Sequence, residues 1–193
     1  MPRLLIIYST HDGHTAKIVH LIGDVAHERG WDPDIWPCKD LPADFSLQPY
    51  DAAVVAAPVI AGRYSNAVRN VVRRHRDALA AIPTAFVSVS WSATGQPWAP
   101  SHEQRRRANA RLFHQAGWRP NQIISVGGAV LYTRHAWLMR WIWGLFIRRT
   151  GGPRDKSRDH VYTDWEALRR EAFDFLTTNL PGRHHVQAVE AHR

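Results

Sequence analysis

A short stretch near the amino terminus decides the fold: Leu4-Leu5-Ile6-Ile7-Tyr8-Ser9-Thr10-His11-Asp12-Gly13-His14-Thr15. Its first five residues predict a buried strand, and the pattern of an amphipathic helix begins directly after the turn. The turn is rich in hydroxyl groups and contains one glycine. It could hold a phosphate, because a helix N-terminus presents unpaired N–H groups and a positive dipole end. It is equally compatible with a plain connection in which Thr15 caps the helix.

The composition of this turn narrows the kind of phosphate that it could bind. It has no Lys, unlike a nucleotide-triphosphate loop, and no G-x-G-x-x-G, unlike a dinucleotide-binding turn. Hydroxyl groups and a closely approaching glycine backbone are neutral donors that suit a monophosphate. The candidate phosphate-binding residues are Ser9, Thr10, His11, Asp12, Gly13, His14 and Thr15.

Length, composition and charge limit the class of protein. The chain has 193 residues, of which 45% are hydrophobic, which is enough for one domain with a full core. We expect this domain to span residues 1–180 and the polar tail, residues 181–193, to be disordered. The net charge of +8 favours an anionic partner, such as nucleic acid, anionic lipid or an acidic small molecule. The single Cys38 cannot form an intrachain disulfide, which fits a reducing, cytoplasmic compartment.

Three kinds of feature are missing from the sequence. No apolar run reaches the roughly 20 residues that a membrane-spanning helix needs. The apolar run at the amino terminus has no small-residue cleavage site behind it, so it predicts a strand and not a signal peptide. The spacing of His and Cys residues matches no metal site, so no metal is expected.

Strand-like and helix-like segments alternate along the chain. The predicted strands are residues 4–8, 34–36, 52–57, 84–89 and 123–126, with Gly127-Gly128 interrupting or bulging the last one. The helices between them begin at recognisable capping residues: Ser65 before a helix carrying Val68, Val71, Val72 and Leu79, Ser101 with Gln104, and Thr163 with Glu166. Strands that alternate with helices predict an α/β fold with a doubly wound, five-stranded parallel sheet.

Three loops should meet at the carboxyl edge of this sheet, where such folds bind ligands. They are residues 9–15, 58–64 and 90–100, and the last two are rich in polar and aromatic residues. A phosphate turn beside such loops could enclose a flat heterocycle, which favours FMN as the cofactor. Tyr64 could stack on the flavin or pack at the start of the following helix. The further candidate cofactor-binding residues are Val59, Ile60, Ala61, Gly62, Tyr64, Ser90, Trp91, Ser92, Ala93 and Gly128.

A long insert, about residues 132–160, follows or interrupts the fifth strand. Residues 137–147 are apolar nearly all round a helix and include Trp137 and Trp141. Basic residues flank them at Arg134, Arg148, Arg149, Arg154, Lys156 and Arg158. This pattern favours an anionic membrane surface or an amphiphilic substrate. A helix buried in the core or in a homo-oligomer interface is the alternative. Nucleic acid is disfavoured, because the basic residues form no polar stripe and no recognition motif is present.

Several motifs resemble those of the flavodoxin-like, quinone-dependent protoporphyrinogen IX dehydrogenases. They are Tyr8-Ser9-Thr10-x-Asp12-Gly13-x-Thr15, Gly117-Trp118-Arg119-Pro120, Gly128-Ala129, Thr150-Gly151-Gly152 and Val161-Tyr162-Thr163-Asp164-Trp165-Glu166. The similarity extends from about residue 3 to residue 178. It implies a flavodoxin-like sheet and an FMN enzyme on the cytoplasmic face of the membrane. It also implies that protoporphyrinogen IX is oxidised in haem synthesis, with menaquinone or ubiquinone as electron acceptor.

The chain departs from this family at the expected substrate loops. Ile60 and Ala61 stand where the resemblance leads us to expect Arg and Tyr, and Leu131 replaces an expected Arg. A dicarboxylate substrate needs cationic partners, for which Arg63, Arg134, Arg148 and Arg149 are candidates; they could also bind lipid phosphates. A quinone reductase with another donor, such as NAD(P)H, is the alternative enzyme. A pure electron carrier is disfavoured, because flavodoxin carriers are usually acidic.

Overall fold

The computed structural model describes residues 1–96, 99–130 and 160–181, and its centre is a sheet of five parallel strands. The strands are β1 (Arg3–Tyr8), β2 (Asp32–Pro37), β3 (Ala52–Pro58), β4 (Thr84–Ser90) and β5 (Gln122–Gly127). Their order across the sheet is β2-β1-β3-β4-β5, and every neighbouring pair is parallel. The predicted doubly wound sheet is therefore confirmed.

Helices cover both faces of the sheet. They are α1 (His14–Glu28), α2 (Asn66–Arg74), α3 (Arg76–Ala80), α4 (His102–Ala116) and α5 (Trp165–Thr178). Alternate residues of β1 point to opposite faces. Leu4 and Ile6 pack in the core beneath α1 and α5, whereas Leu5 and Ile7 pack in the core beneath α2, α3 and α4. No helix among the described ranges is long and apolar enough to cross a bilayer.

The predicted interruption of the fifth strand is confirmed. β5 ends at Gly127, and the chain then forms a separate two-stranded antiparallel sheet. Its strands are β6 (Ala129–Val130) and β7 (His160–Val161). The predicted insert lies almost entirely outside the described residues, and so do residues 182–193 of the predicted tail.

Two predictions about helices were wrong. The single helix expected from Ser65 to beyond Leu79 is divided at His75, which separates α2 from α3. The last helix is capped by Asp164, whose side chain accepts a hydrogen bond of 2.8 Å from the N–H of Ala167. Thr163 was the expected cap, but its hydroxyl group is used in a tertiary contact instead. Ser65 and Ser101 cap α2 and α4 as predicted.

Candidate functional site at the carboxyl edge of the sheet

The turn after β1 is held together by its own polar side chains. Thr10 Oγ1 accepts a hydrogen bond of 3.0 Å from the N–H of Gly13, and Asp12 Oδ1 accepts one of 3.0 Å from the N–H of His14. Gly13 has a φ of 86°, in the left-handed region that favours glycine. It is also the N-cap of α1. Capping by Thr15 is therefore wrong, because Thr15 lies inside the first turn of the helix and is buried.

This turn fits a phosphate group. Ser9 Oγ is buried and has no hydrogen-bond partner among the described residues. Leaving a buried hydroxyl unpaired costs about 1–3 kcal/mol, so such a group in a native structure calls for an additional partner. The N-terminus of α1 starts at the same turn and supplies further N–H donors and its dipole. Phosphate oxygens could accept hydrogen bonds both from the hydroxyl group of Ser9 and from the N–H groups at the start of α1.

A buried contact ties the turn to the end of β5. Thr163 Oγ1 donates a hydrogen bond of 2.6 Å to the carbonyl oxygen of Gly127 and lies 2.7 Å from His14 Nε2. Because the hydroxyl proton is used on Gly127, Nε2 of His14 must donate to Thr163. Burial lowers the pKa of His14, and the nearby Asp12 opposes this shift. The imidazole is therefore neutral at pH 7 and serves to hold the turn in place.

The second loop contains a tight hairpin. Ile60 and Arg63 exchange backbone hydrogen bonds of 2.9 and 3.0 Å, and Ala61 and Gly62 between them have φ values of 49° and 72°. Positive φ at both central residues is typical of a type I′ turn. Ala61 rarely adopts such a conformation, so this part of the site is strained. Ile60 is 41% exposed beside it.

Tyr64 packs at the start of α2, which is the second of its two predicted roles. Its hydroxyl group donates a hydrogen bond of 2.6 Å to Asn109 Oδ1 and lies 2.7 Å from Ser88 Oγ. Its ring packs edge-to-face on Phe86, with the centroids 5.2 Å apart. Burial raises the pKa of Tyr64 well above its ordinary value. These contacts hold the phenol inside the core beneath α2 and α4.

The third loop packs closely against the end of β5. A short 3-10 helix at Trp91–Ala93 follows β4, and Ser90 Oγ lies 2.9 Å from Ser92 Oγ. Trp91 Nε1 donates a hydrogen bond of 3.1 Å to the carbonyl oxygen of Ala129. A Cβ on Gly128 would lie 3.2 Å from Trp91 Cδ1, so Gly128 lets the indole approach the backbone.

The structure brings the three predicted loops to the same edge of the sheet. The N–H of Ser9 bonds to Ala56 O at the end of β3, and the N–H of Val59 bonds to Val89 O at the end of β4. The substrate or membrane candidates Arg134, Trp137, Trp141, Arg148 and Arg149 lie outside the described residues.

Sequence reasoning missed the positioning role of Thr163 in this site. The motif Tyr162-Thr163-Asp164 was used for the resemblance and for a helix cap, but not for a contact with the first loop. The N–H of Tyr162 also bonds to the carbonyl oxygen of Gly128, so the motif covers the end of β5. The available signal was that this motif and the turn after β1 both carry the same family resemblance, which suggests that they belong to one site.

Neither a metal site nor a reactive cysteine is supported at the carboxyl edge of the sheet. Among the described ranges, no group of three His, Cys, Asp or Glu residues could hold a metal ion. Cys38 is buried, and burial raises the pKa of its thiol to about 12, so it remains protonated and unreactive.

The strand order, the three converging loops and the phosphate-suited turn define a flavodoxin-like protein that holds a flavin. The flavodoxin-domain family matches residues 5–157. Solved structures show the same fold. Flavodoxin 1 from Bacillus cereus has a TM-score of 0.53 and 15% identity, over 91% of this chain and 97% of that chain. A short-chain flavodoxin associated with a PDU bacterial microcompartment has a TM-score of 0.55 and 14% identity, over 93% of this chain and 99% of that chain.

Curated relatives narrow the family. Protoporphyrinogen IX dehydrogenase (quinone) of Leishmania major is 32% identical over 98% of this chain and 82% of its own length. The enzyme of the same name from Escherichia coli K12 is 30% identical over 86% of this chain and 90% of its own length. The chain belongs to the protoporphyrinogen IX dehydrogenase (quinone) family of flavodoxin-domain oxidoreductases. This confirms the family resemblance noted in the sequence.

Proposed function

We propose that this protein binds FMN and oxidises protoporphyrinogen IX to protoporphyrin IX in haem synthesis, with menaquinone or ubiquinone as electron acceptor. The relatives' names supply the substrate and the acceptor class. The observation in the structure that carries the proposal is the turn between β1 and α1, where the buried Ser9 Oγ lacks a partner beside a helix N-terminus.

The turn supports FMN in preference to FAD. It has one glycine with positive φ and one helix N-terminus, which suit a terminal monophosphate. A pyrophosphate is instead recognised by a glycine array, which this turn lacks. In the proposal Ser9, Thr10 and the helix N–H groups hold the phosphate and Gly13 shapes the turn around it, whereas the backbone of the Ile60–Arg63 hairpin and the indole of Trp91 flank the ring system.

The protein's residues serve to bind and orient. The bound flavin supplies a two-electron acceptor, so the six-electron oxidation of the porphyrinogen needs three rounds. His14 and Thr163 fix the position of the phosphate turn relative to β5. Trp91, which is held against the chain after β5, presents an apolar indole that keeps water from the reacting edge of the ring. No general base is assigned.

One observation favours an alternative electron donor in place of protoporphyrinogen IX. The hairpin carries Ile60 and Ala61 where a cationic and an aromatic residue were expected, which leaves fewer partners for substrate carboxylates. The alternative is an FMN quinone reductase that takes electrons from NAD(P)H.

Anaerobic mixing decides between the two donors. The FMN-loaded protein is mixed separately with protoporphyrinogen IX and with NADPH, and the flavin absorbance is followed. We expect protoporphyrinogen IX to bleach the flavin and NADPH to leave it oxidised. The reverse result would assign the protein to the alternative.

Two glycines with the same backbone conformation test the FMN site. Gly13 and Gly30 have φ values of 86° and 78°, at opposite ends of α1. Replacement of either by Ala should cost about 1–2 kcal/mol of stability. Only Gly13→Ala should weaken FMN binding, by roughly 10-fold, because only Gly13 shapes the turn. Titration of the apoprotein with FMN and FAD measures both affinities. Equal FMN affinity in the two variants would exclude the turn as the phosphate site.

The proposed location is the cytoplasmic face of the cell membrane, as a peripheral protein. The supporting observations are the basic composition and the apolar segment 137–147 with its arginine flanks, in a domain that we place at residues 1–180. A membrane quinone has to be reached from that surface.

A further inference from the structure

The two helical layers carry very different charges. The helices α2, α3 and α4 together contain eight arginines and two carboxylates. Helices α1 and α5 together contain three basic and five acidic residues. The surface of α2, α3 and α4, here called the arginine face, therefore has a strongly positive potential, which attracts polyanionic partners.

A groove in the arginine face lies between α2 and α4. It has a volume of about 240 Å³ and is lined by Arg63, Arg69 and Arg111 together with Asn66 and Gln115. Arg69 Nη1 on α2 donates a hydrogen bond of 3.3 Å to Gln115 Oε1 on α4, so this contact joins the two sides of the groove. Three guanidinium groups around one small volume repel one another unless an anion lies between them.

The carboxylates of this layer do not supply that anion. Glu103 forms ion pairs with Arg106 and Arg107, at 3.8 and 3.0 Å. Asp77 pairs with Arg76 at 3.3 Å. None of the three groove arginines pairs with a carboxylate in the part of the chain that the structure describes. The groove is therefore suited to an external oxoanion of the size of a phosphate.

An apolar tip adjoins the groove. Arg63 closes the hairpin in which Ile60 is 41% exposed, and Arg63 also lines the groove. A large exposed aliphatic side chain next to a basic surface suits the boundary between lipid headgroups and acyl chains. Nucleic acid receives an aliphatic wedge only if a base step is unstacked, whereas a bilayer receives it without that cost, so the combination favours a bilayer.

We propose that the groove of Arg63, Arg69 and Arg111 seats the phosphate of an anionic phospholipid and that the arginine face lies on the bilayer. Ile60 then reaches the acyl boundary. The inference rests on the proposed use of a membrane quinone, and it names a docking surface formed by described residues and not by the segment 137–147. It also places the second flavin loop against the membrane.

Vesicle binding of two charge-matched variants tests the proposal. The groove variant is Arg69→Gln with Arg111→Gln, and the control is Lys17→Gln with Arg170→Gln on the opposite layer. Each basic residue near an anionic surface contributes about 1 kcal/mol, so the groove variant should bind phosphatidylglycerol-containing vesicles roughly 30-fold more weakly. The control should change binding less than about 3-fold. Sedimentation with phosphatidylcholine vesicles, with and without phosphatidylglycerol, measures this.

Other outcomes would overturn the docking surface. Equal losses in both variants would mean that net charge, without an oriented face, drives binding. Unchanged binding of the groove variant would leave the segment 137–147 as the anchor. Tighter binding of a single-stranded oligonucleotide than of anionic vesicles at the same salt concentration would assign the face to nucleic acid.

A second readout separates this proposal from the proposed function. The same preparations are mixed anaerobically with protoporphyrinogen IX, without vesicles. The groove variant should reduce its flavin at the wild-type rate. Selective loss of that reduction would show that the arginines bind substrate carboxylates and would overturn the lipid site. A wild-type protein that docks on vesicles but does not react with protoporphyrinogen IX would refute the function and leave the docking surface standing.

Discussion

The two layers on either side of the sheet use their polar side chains in different ways. Beneath α1 and α5, buried polar groups contact one another across long sequence distances, as His14 does with Thr163. At the surface of that layer, Arg169 pairs with Glu28, and Arg29 lies 3.7 Å above the ring of Phe173. In the arginine face, five of the eight helix arginines pair with no carboxylate of the described residues, and the layer is held by aromatic packing around Phe86. The buried polar groups of one layer connect the turn after β1 to the end of β5, whereas the other layer presents charge at its surface.

The largest expected effect is the loss of the aromatic cluster under the arginine face. Phe86 is fully buried and contacts Tyr64, Phe113 and Trp118 edge-to-face. Phe86→Ala should lower the free energy of unfolding by about 3–5 kcal/mol. Phe173→Ala, in the opposite layer, removes a ring that is 36% exposed and should cost about 1 kcal/mol. Urea denaturation measures both; similar losses would show that the two layers are not held differently.

A smaller effect is expected where β5 meets the motif before α5. A Cβ on Gly127 would overlap the backbone carbonyl oxygen of Tyr162, whereas one on Gly128 would come no closer than 3.2 Å to its nearest neighbour, the side chain of Trp91. Gly127→Ala should therefore cost about 1–3 kcal/mol and weaken FMN binding, because Thr163 must move with Tyr162. Gly128→Ala should cost less than about 1 kcal/mol. Thermal melts with and without FMN compare the two variants, and the reverse order would contradict this packing.

Substitution of two buried threonines can distinguish a role in positioning the turn after β1 from a general contribution to stability. Thr163 bonds to Gly127 O and His14, whereas Thr84 Oγ1 bonds to Asn121 Oδ1 at 3.0 Å, at the opposite edge of the sheet. Replacement of either by Val should cost about 1–2 kcal/mol. Thr163→Val alone should weaken FMN binding, by several-fold. FMN affinities that fall equally in both variants would indicate a general loss of stability and not a positioning role.

The smallest expected effect is a dependence of the free energy of unfolding on pH. Burial lowers the pKa of His14 below 6.5, its ordinary value, so the unfolded chain takes up the proton at a higher pH than the folded protein. The stability associated with His14 is therefore complete above pH 6.5 and is lost as the pH falls from 6.5 through the folded pKa. His14→Gln should flatten this part of the stability curve. His75→Gln is the control in the other layer; burial also lowers the pKa of His75, but its ring is only half-buried. Parallel curves for wild type and His14→Gln would contradict the assignment.

Local patterns were sufficient to predict most of the fold. The continuous apolar runs in β1 and β3 predicted buried parallel strands, and Ser65 and Ser101 predicted two helix starts. These features depend on hydrophobic periodicity and on bonds between residues three positions apart, so they can be recognised without tertiary information. The turn after β1 was recognised for the same reason.

The sequence by itself determined the strand–helix alternation, the strongly basic charge and the position of the polar turn after β1. Only the tertiary structure decided what Thr163 and Tyr64 contact and which arginines lie together. Thr163 could cap a helix locally, but its contact with His14 spans 149 positions and is made only when the layers assemble. The sequence left two possible roles for Tyr64, and the contacts of its hydroxyl group with Ser88 and Asn109 in the folded protein decide between them. The groove arginines come from a hairpin and two separate helices, so no local pattern marks them as one site. Their convergence depends on how α2 packs beside α4, which is set by the shapes of many side chains together.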